Sequence, residues 1–239
     1  MHLVSSQTSI PVPKFRRCAF WKGKLCIFLE YVEGRDLHEA WPSLSIWSRF
    51  RVAWMLRGYI RQLRKVKPPH QDIPGPLNAL GPTPLKCKGH YFPEIRAGPF
   101  PSYTALSAWY DGRRRLTSIL SKPISVAMAG PSADKDELPQ VYFDDSLPLV
   151  LTHGDISVYN VRLGTDGKVW LLDWGYAGMY PQWFEYASIM AYASGRKDWD
   201  PPRGWLWFAP LIAGWYKSQL LFMNRYARGI QHYAFEGFD

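Results

Sequence analysis

The chain has 239 residues, 47% of them hydrophobic, enough to fill one large domain or two small lobes around a cleft and too many for a disordered chain. Its formal net charge of +9 suits anionic partners such as nucleotides and makes a polycationic ligand awkward. No apolar run approaches the ~20 residues that cross a bilayer, so no membrane partner is expected.

Met1 to Ser6 has no basic stretch leading into an apolar one, so no secretory signal is expected and the location expected is cytoplasmic. Cys18, Cys26 and Cys87 lack metal-ligand spacing and read as free or buried thiols in a reducing compartment. The basic residues are dispersed. Arg113-Arg114-Arg115 is the only run, a solvated helix end accounts for it, and with no recognition motif nucleic acid is not an expected partner.

In chain order, Phe15 to Trp21 and Leu25 to Val32 read as two strands joined by Lys22-Gly23-Lys24. Gly34 is expected to break the second strand, and Arg35 to Trp41 to form a short helix stopped near Pro42. Ser45 to Lys67 is a strong helix, capped by Ser43 or Ser45. Its apolar stripe is Ile46, Phe50, Ala53, Trp54, Leu56, Tyr59, Ile60 and Leu63.

Residues 68–102 hold nine of the twenty prolines and should form no regular element. A stretch of that length in a compact domain is usually functional or mobile. A helix follows from Ser102 to about Ser121, then a loop over 122–146 with a short acidic helical piece at Asp134 to Glu137. Leu147 to Thr152 is a strand, and Val161 to Leu163 and Val169 to Leu172 form a hairpin about Asp166-Gly167. Pro181 to Ser194 and roughly Gly204 to Tyr233 read as helices, the second with a break at Pro210. Within it Trp205, Trp207, Trp215, Tyr216 and Tyr226 are core packing or, for one or two of them, a cation–π surface for a cationic acceptor.

The chemistry concentrates in LTHGDISVYNVRLGTDGKVWLLDWG, Leu151 to Gly175. A hairpin that leaves and returns brings Asn160 and Asp173 together. Their side-chain oxygens are hard ligands suited to Mg²⁺. Asp155, on the preceding loop, could accept a proton from an attacking hydroxyl. Each feature alone is weak: an Asp at a strand end is usually a turn former, and Asp-Gly is merely a hairpin. Their conjunction carries the signal.

The run H-G-D, four residues, N, then a hairpin returning to D-W, resembles the catalytic segment of the aminoglycoside phosphotransferase and choline kinase-like family, relatives of protein kinases. TSIPVPKFRRC (Thr8 to Cys18), LEYVEGRDLHEAWPSLS (Leu29 to Ser45), RGYIRQLRKVKPP and AGMYPQWFEYASI are similar to stretches of its fungal branch in the same order. The resemblance implies an α+β, protein-kinase-like fold, with a two-strand N-lobe remnant and hinge over 1–33 and a mainly helical C-lobe over 34–239. It implies Asp155 as catalytic base, Asn160 and Asp173 as metal ligands, and Glu30 and Val32 as the hinge, whose backbone carbonyl and amide hold adenine. It implies ATP and Mg²⁺ as cofactors, and a small-molecule hydroxyl as acceptor of the γ-phosphoryl group.

His153 is expected to clamp the loop rather than shuttle protons, and Glu185 to serve packing or an ion pair. In the family, a Gly-rich loop and a strand lysine precede the segment like TSIPVPK, whereas here seven residues precede Thr8, and Lys14, Lys22 and Lys24 are poorly placed to replace that lysine. The N-lobe is therefore expected to be incomplete, with self-association through its unpaired strands. An impaired, pseudokinase-like or partner-binding module and a truncated product of a longer kinase stand as alternatives.

Overall fold

The computed structural model describes residues 1–92, 97–129, 141–194 and 200–227. It opens with a short helix that the sequence reading does not anticipate, α1 (His2–Gln7), which buries Val4. The chain then runs along the body of the molecule. Gln62 Oε1 accepts from the Ser9 amide at 2.8 Å, and the Pro11 carbonyl accepts from the Leu171 amide at 3.0 Å. Ile10 and Val12 are buried with Val4 in the first core.

Strands β1 (Phe15–Trp21) and β2 (Lys24–Leu29) form an isolated antiparallel pair with Cys18 opposite Ile27. Lys22 and Gly23 both take positive φ, the twist a two-residue hairpin turn requires. Strand β2 stops at Leu29, short of Val32, although the Glu30 amide still reaches the Lys14 carbonyl at 2.8 Å. The pair leaves Phe20, Trp21, Leu25 and Ile27 exposed.

Gly34 does not end a strand; it begins β3 (Gly34–Asp36), which pairs antiparallel with β5 (Val161–Gly164). A Cβ on Gly34 would lie 2.0 Å from the Leu163 carbonyl oxygen, and its φ is +144°. Backbone proximity, not chain breaking, is what requires glycine there. With β6 (Val169–Leu171), these strands make a three-stranded sheet in the order β3-β5-β6. The short helix α2 shrinks to Leu37–Ala40 and passes into a 3-10 turn over Trp41–Ser43.

Helix α3 (Ile46–Leu63) is capped by Ser45, whose Oγ accepts from the Ser48 amide at 3.2 Å. It buries Val52, Ala53, Leu56, Tyr59, Ile60 and Leu63. Ile46, Phe50 and Trp54, counted above in the same stripe, are instead exposed on the outer side. The described part of 68–102 has no helix or strand beyond an isolated bridge, Gly75 to Met179, and is held by buried Cys87, Tyr91, Phe92 and Phe100.

Helix α4 (Tyr103–Ala129) continues past Ser121. The acidic piece at Asp134 to Glu137 lies outside the described residues. Strand β4 (Leu149–Thr152) pairs with β7 (Gly178–Pro181), so Pro181 ends a strand rather than opening a helix. Helix α5 (Phe184–Met190) runs into a 3-10 turn, Ala191–Ser194. The long C-terminal helix is divided into a 3-10 turn (Leu206–Phe208), α6 (Ala209–Ala213), α7 (Lys217–Phe222) and a π turn (Met223–Ala227). The break falls at Gly214, φ +104°, whereas Pro210 sits in the first turn of α6, where its missing N–H costs nothing. Residues 228–233 of that reading lie outside the described residues.

Two apolar cores result. One joins α2, α3, β5, β6 and α6 around Trp41, Leu56, Ile60, Leu63, Leu171 and Trp205. The other is aromatic, with Tyr110 stacked on Phe143 and Tyr180 stacked on Phe184. Among the described residues, no helix is long and apolar enough to cross a membrane.

Replacing Gly34 by alanine should force β3 and β5 apart. We expect a loss of about 1–3 kcal/mol from overpacking, read from the urea midpoint at unchanged m-value. An unaltered midpoint would mean that the sheet yields without cost.

Candidate active site

Strand β4 delivers the chain to His153 at the seam of the two cores. Gly154 follows with φ +77°, and a Cβ there would lie 2.7 Å from the Tyr176 carbonyl oxygen. The turn is held from α5. Glu185 Oε2 accepts from the His153 amide at 2.7 Å, and Oε1 from the Gly154 amide at 3.1 Å. Glu185 is 1% exposed, and burial raises its pKa to about 7 against the pull of those two amides. Its role is thus neither simple packing nor a direct ion pair. It is a buried backbone clamp.

His153 performs the clamping expected of it. Its Nε2 lies 2.9 Å from the Leu172 carbonyl, and its Nδ1 accepts from the Asp155 amide at 3.3 Å. The pairing assigns the proton to Nε2 in a neutral ring. Burial holds that pKa down at about 4, with the nearby Asp155 charge opposing. The ring ties the loop to the end of β6.

Asp155 is 9% exposed. Asn160 Nδ2 donates to its backbone carbonyl and to Oδ2, each at 2.9 Å. Two groups absent from the sequence reading meet the other oxygen: His90 Nε2 lies 2.8 Å from Oδ1, and the Tyr192 hydroxyl donates to it at 2.6 Å. His90 comes from the Pro/Gly-rich segment and Tyr192 from the turn after α5. Nothing local in the sequence joins either to Asp155.

The Leu172 amide, just past the end of β6, donates to the Asn160 carbonyl at 2.9 Å, and Asp173 is the next residue. Asp173 is exposed and takes φ +52°, with Oδ1 accepting from the Gly175 amide at 3.1 Å. The Asn160 amide nitrogen is engaged by Asp155, and Oδ1 of the same carboxamide is an oxygen donor of the kind a hard divalent cation takes, as are the Asp173 carboxylate oxygens.

After β2, in the segment expected to be the hinge, Val32 is buried and Tyr31 exposed. The Glu30 carbonyl and Val32 amide enter no hydrogen bond with another described residue. Arg162, on β5 of the hairpin, reaches residues 31–34. Its guanidinium is 5.4 Å from the Tyr31 ring centre and donates to the Gly34 carbonyl at 3.1 Å.

Of the C-terminal aromatics, Trp205 and Tyr226 are buried in the cores, whereas Trp207 and Trp215 are exposed. Trp207 lines a cavity of about 230 Å³ with Tyr192, Asp200 and Arg203. Tyr216 is half-buried against the core, and its hydroxyl accepts from Gln182 at 2.7 Å.

A family model described as "APH: Phosphotransferase enzyme family" matches residues 101–221, just over half of the chain and including Asp155, Asn160 and Asp173. The chain belongs to that family. No curated protein matches it in sequence. Among solved structures, the gentamicin complex of APH(2")-IIa is similar at 12% identity and TM-score 0.50, with 98% of this chain and 69% of that one covered. An aminoglycoside-3'-phosphotransferase of type VIII is similar at 19% identity and TM-score 0.45, over 90% of this chain and 72% of that one. The fold is therefore the mixed α and β, kinase-like one, with few strands and a helical C-terminal part.

His153 and Glu185 should give stability opposite pH slopes. The folded His153 pKa lies below its ordinary value of 6.5, so its contribution is present above 6.5 and lost as pH falls toward 4. The folded Glu185 pKa lies above 4.5, so its contribution is present below 4.5 and lost as pH rises through 7. We expect Glu185→Gln to leave a protein that weakens on acidification and His153→Asn one that weakens on alkalinisation. Urea melts across pH 4–7 read this, and slopes of one sign in both variants would refute the paired assignment.

Proposed function

We propose that this protein transfers the γ-phosphoryl group of ATP to the hydroxyl of a small-molecule acceptor. One observation carries the reading: a fixed, nearly buried carboxylate, Asp155, shares the carboxamide of Asn160, whose hairpin returns at Asp173. That arrangement supports a proton acceptor working beside two hard oxygen ligands.

In this reading Asp155 takes the proton from the acceptor hydroxyl as its oxygen attacks phosphorus. Asn160 and Asp173 would hold Mg²⁺, which when bound supplies positive charge for the phosphate oxygens. The Glu30 carbonyl and the Val32 amide would meet the adenine edge, and Arg162 would close that side of the cleft. The N-lobe remnant would be residues 1–33, with this hinge at its end, and the C-lobe residues 34–239. The acceptor side would be the cavity lined by Tyr192 and Trp207, which narrows the aromatic alternative to Trp207. A cytoplasmic location goes with ATP as the phosphoryl donor.

Asp155→Asn, an isostere that cannot take the proton, should lower Mg-ATP-dependent phosphoryl transfer by roughly 10²–10⁴-fold in a protein that still folds, as read by circular dichroism. Asp173→Ala should weaken Mn²⁺ binding measured by water-proton relaxation with nucleotide present. Full turnover in the first variant, or parental metal binding in the second, would remove that residue from its role.

The isolated β1–β2 pair has an exposed apolar face and offers free strand edges to a second copy. We expect concentration-dependent self-association in sedimentation velocity, reduced by Ile27→Lys. A parent that stays monomeric at every concentration would exclude it.

A further inference from the structure

The Asp155 carboxylate is held on both sides, and the two sides differ. Oδ2 accepts from Asn160 at 2.9 Å and, among the described residues, from nothing else. Oδ1 accepts from His90 at 2.8 Å and from Tyr192 at 2.6 Å. A carboxylate oxygen offers about two acceptor positions. Oδ1 is therefore filled, and among the described residues Oδ2 keeps one position free.

The His90 mount is rigid. The Phe92 amide donates to the Gly89 carbonyl at 3.1 Å, closing a turn around His90. The next two side chains, Tyr91 and Phe92, are buried in the aromatic core, and the Tyr91 hydroxyl donates to the Ala187 carbonyl of α5 at 2.9 Å. The imidazole also meets Tyr192 and Tyr176 edge-on, with ring centres 4.9 and 5.6 Å away. Tyr192 remains a donor, because burial and the Asp155 charge raise its pKa. A residue meant to swing away would not be stapled by two buried rings.

We propose that His90, with Tyr192 as a second arm, is a positioning residue that pins Asp155 Oδ1 and so presents Oδ2 as the oxygen that deprotonates the acceptor. This rests on the reading of Asp155 as the base. In the step served, the acceptor O–H bond breaks and its proton goes to Oδ2. The acceptor oxygen bonds to phosphorus as the bond from phosphorus to the ADP oxygen breaks. Without the Oδ1 donors the carboxylate rotates, and the productive oxygen is lost for part of the time.

The test uses the full chain and Mg-ATP, with water as the acceptor hydroxyl. His90→Ala should lower kcat by roughly ten- to a hundredfold, the scale of a misplaced catalytic group, with an unchanged KM for ATP. His90→Gln, whose Nε2 carries a donor at similar reach, should recover most of the loss, and Tyr192→Phe should lower kcat in the same sense. A parental or raised kcat in His90→Ala, while Asp155→Asn is inactive, overturns the positioning role alone; a raised value would mark His90 as an obstruction. Retained turnover in Asp155→Asn overturns the base and this role with it. A second readout needs no turnover. The His90 ring N–H resonance of ¹⁵N-labelled protein should move upfield in Asp155→Asn, and a signal indifferent to that change also overturns the proposal.

Discussion

The site depends on one buried carboxylate. Glu185 places both of its oxygens on consecutive backbone amides, those of His153 and Gly154. Amides at a tight turn have no strand partner, and a buried N–H left unpaired costs about 1–3 kcal/mol. By meeting both, Glu185 makes the turn before Asp155 affordable and fixes it to α5. The same helix carries Tyr186 and Ile189 into one core and Phe184 and Ala187 into the other. The loop is thereby referenced to both cores at once.

From that turn the order spreads outward through polar contacts between segments distant in sequence. His153 reaches across to Leu172 and sets the end of β6, where Asp173 follows. Asn160 ties the carboxylate of Asp155 to the start of the hairpin. The hairpin in turn pairs with β3, so the chain entering Gly34 is registered to the hairpin through backbone hydrogen bonds rather than through flexible side chains. Gly34 and Gly154 are two positions where this closeness leaves no room for a Cβ.

Much of the candidate site was legible along the chain. The hairpin turn at Asp166-Gly167 and the alternation of Val161, Leu163, Val169 and Leu171 toward the core are local patterns, and they bring the two ends of the hairpin together. Helix α3 and its Ser45 cap were legible for the same reason. Its apolar stripe was only half right, because spacing cannot say which side of a hydrophobic helix meets the core. Phe50 and Trp54 stack on each other in solvent while Val52 and Leu56 go inside. Strands β3 and β7 were missed because each is three or four residues long and exists only through its partner.

The sequence by itself determined the order Asp155, Asn160, Asp173, because strand periodicity and turn chemistry act over a few residues and need no distant partner. Only the tertiary structure decided what surrounds Asp155. His90 lies 65 residues before it and Tyr192 37 residues after. Neither carries a local signal, since a histidine in a proline-rich loop and a tyrosine at a helix end are compatible with many environments. What brings them to one carboxylate is the packing of Tyr91, Phe92 and α5 in the aromatic core, a condition set by the whole chain closing on itself and by no segment alone.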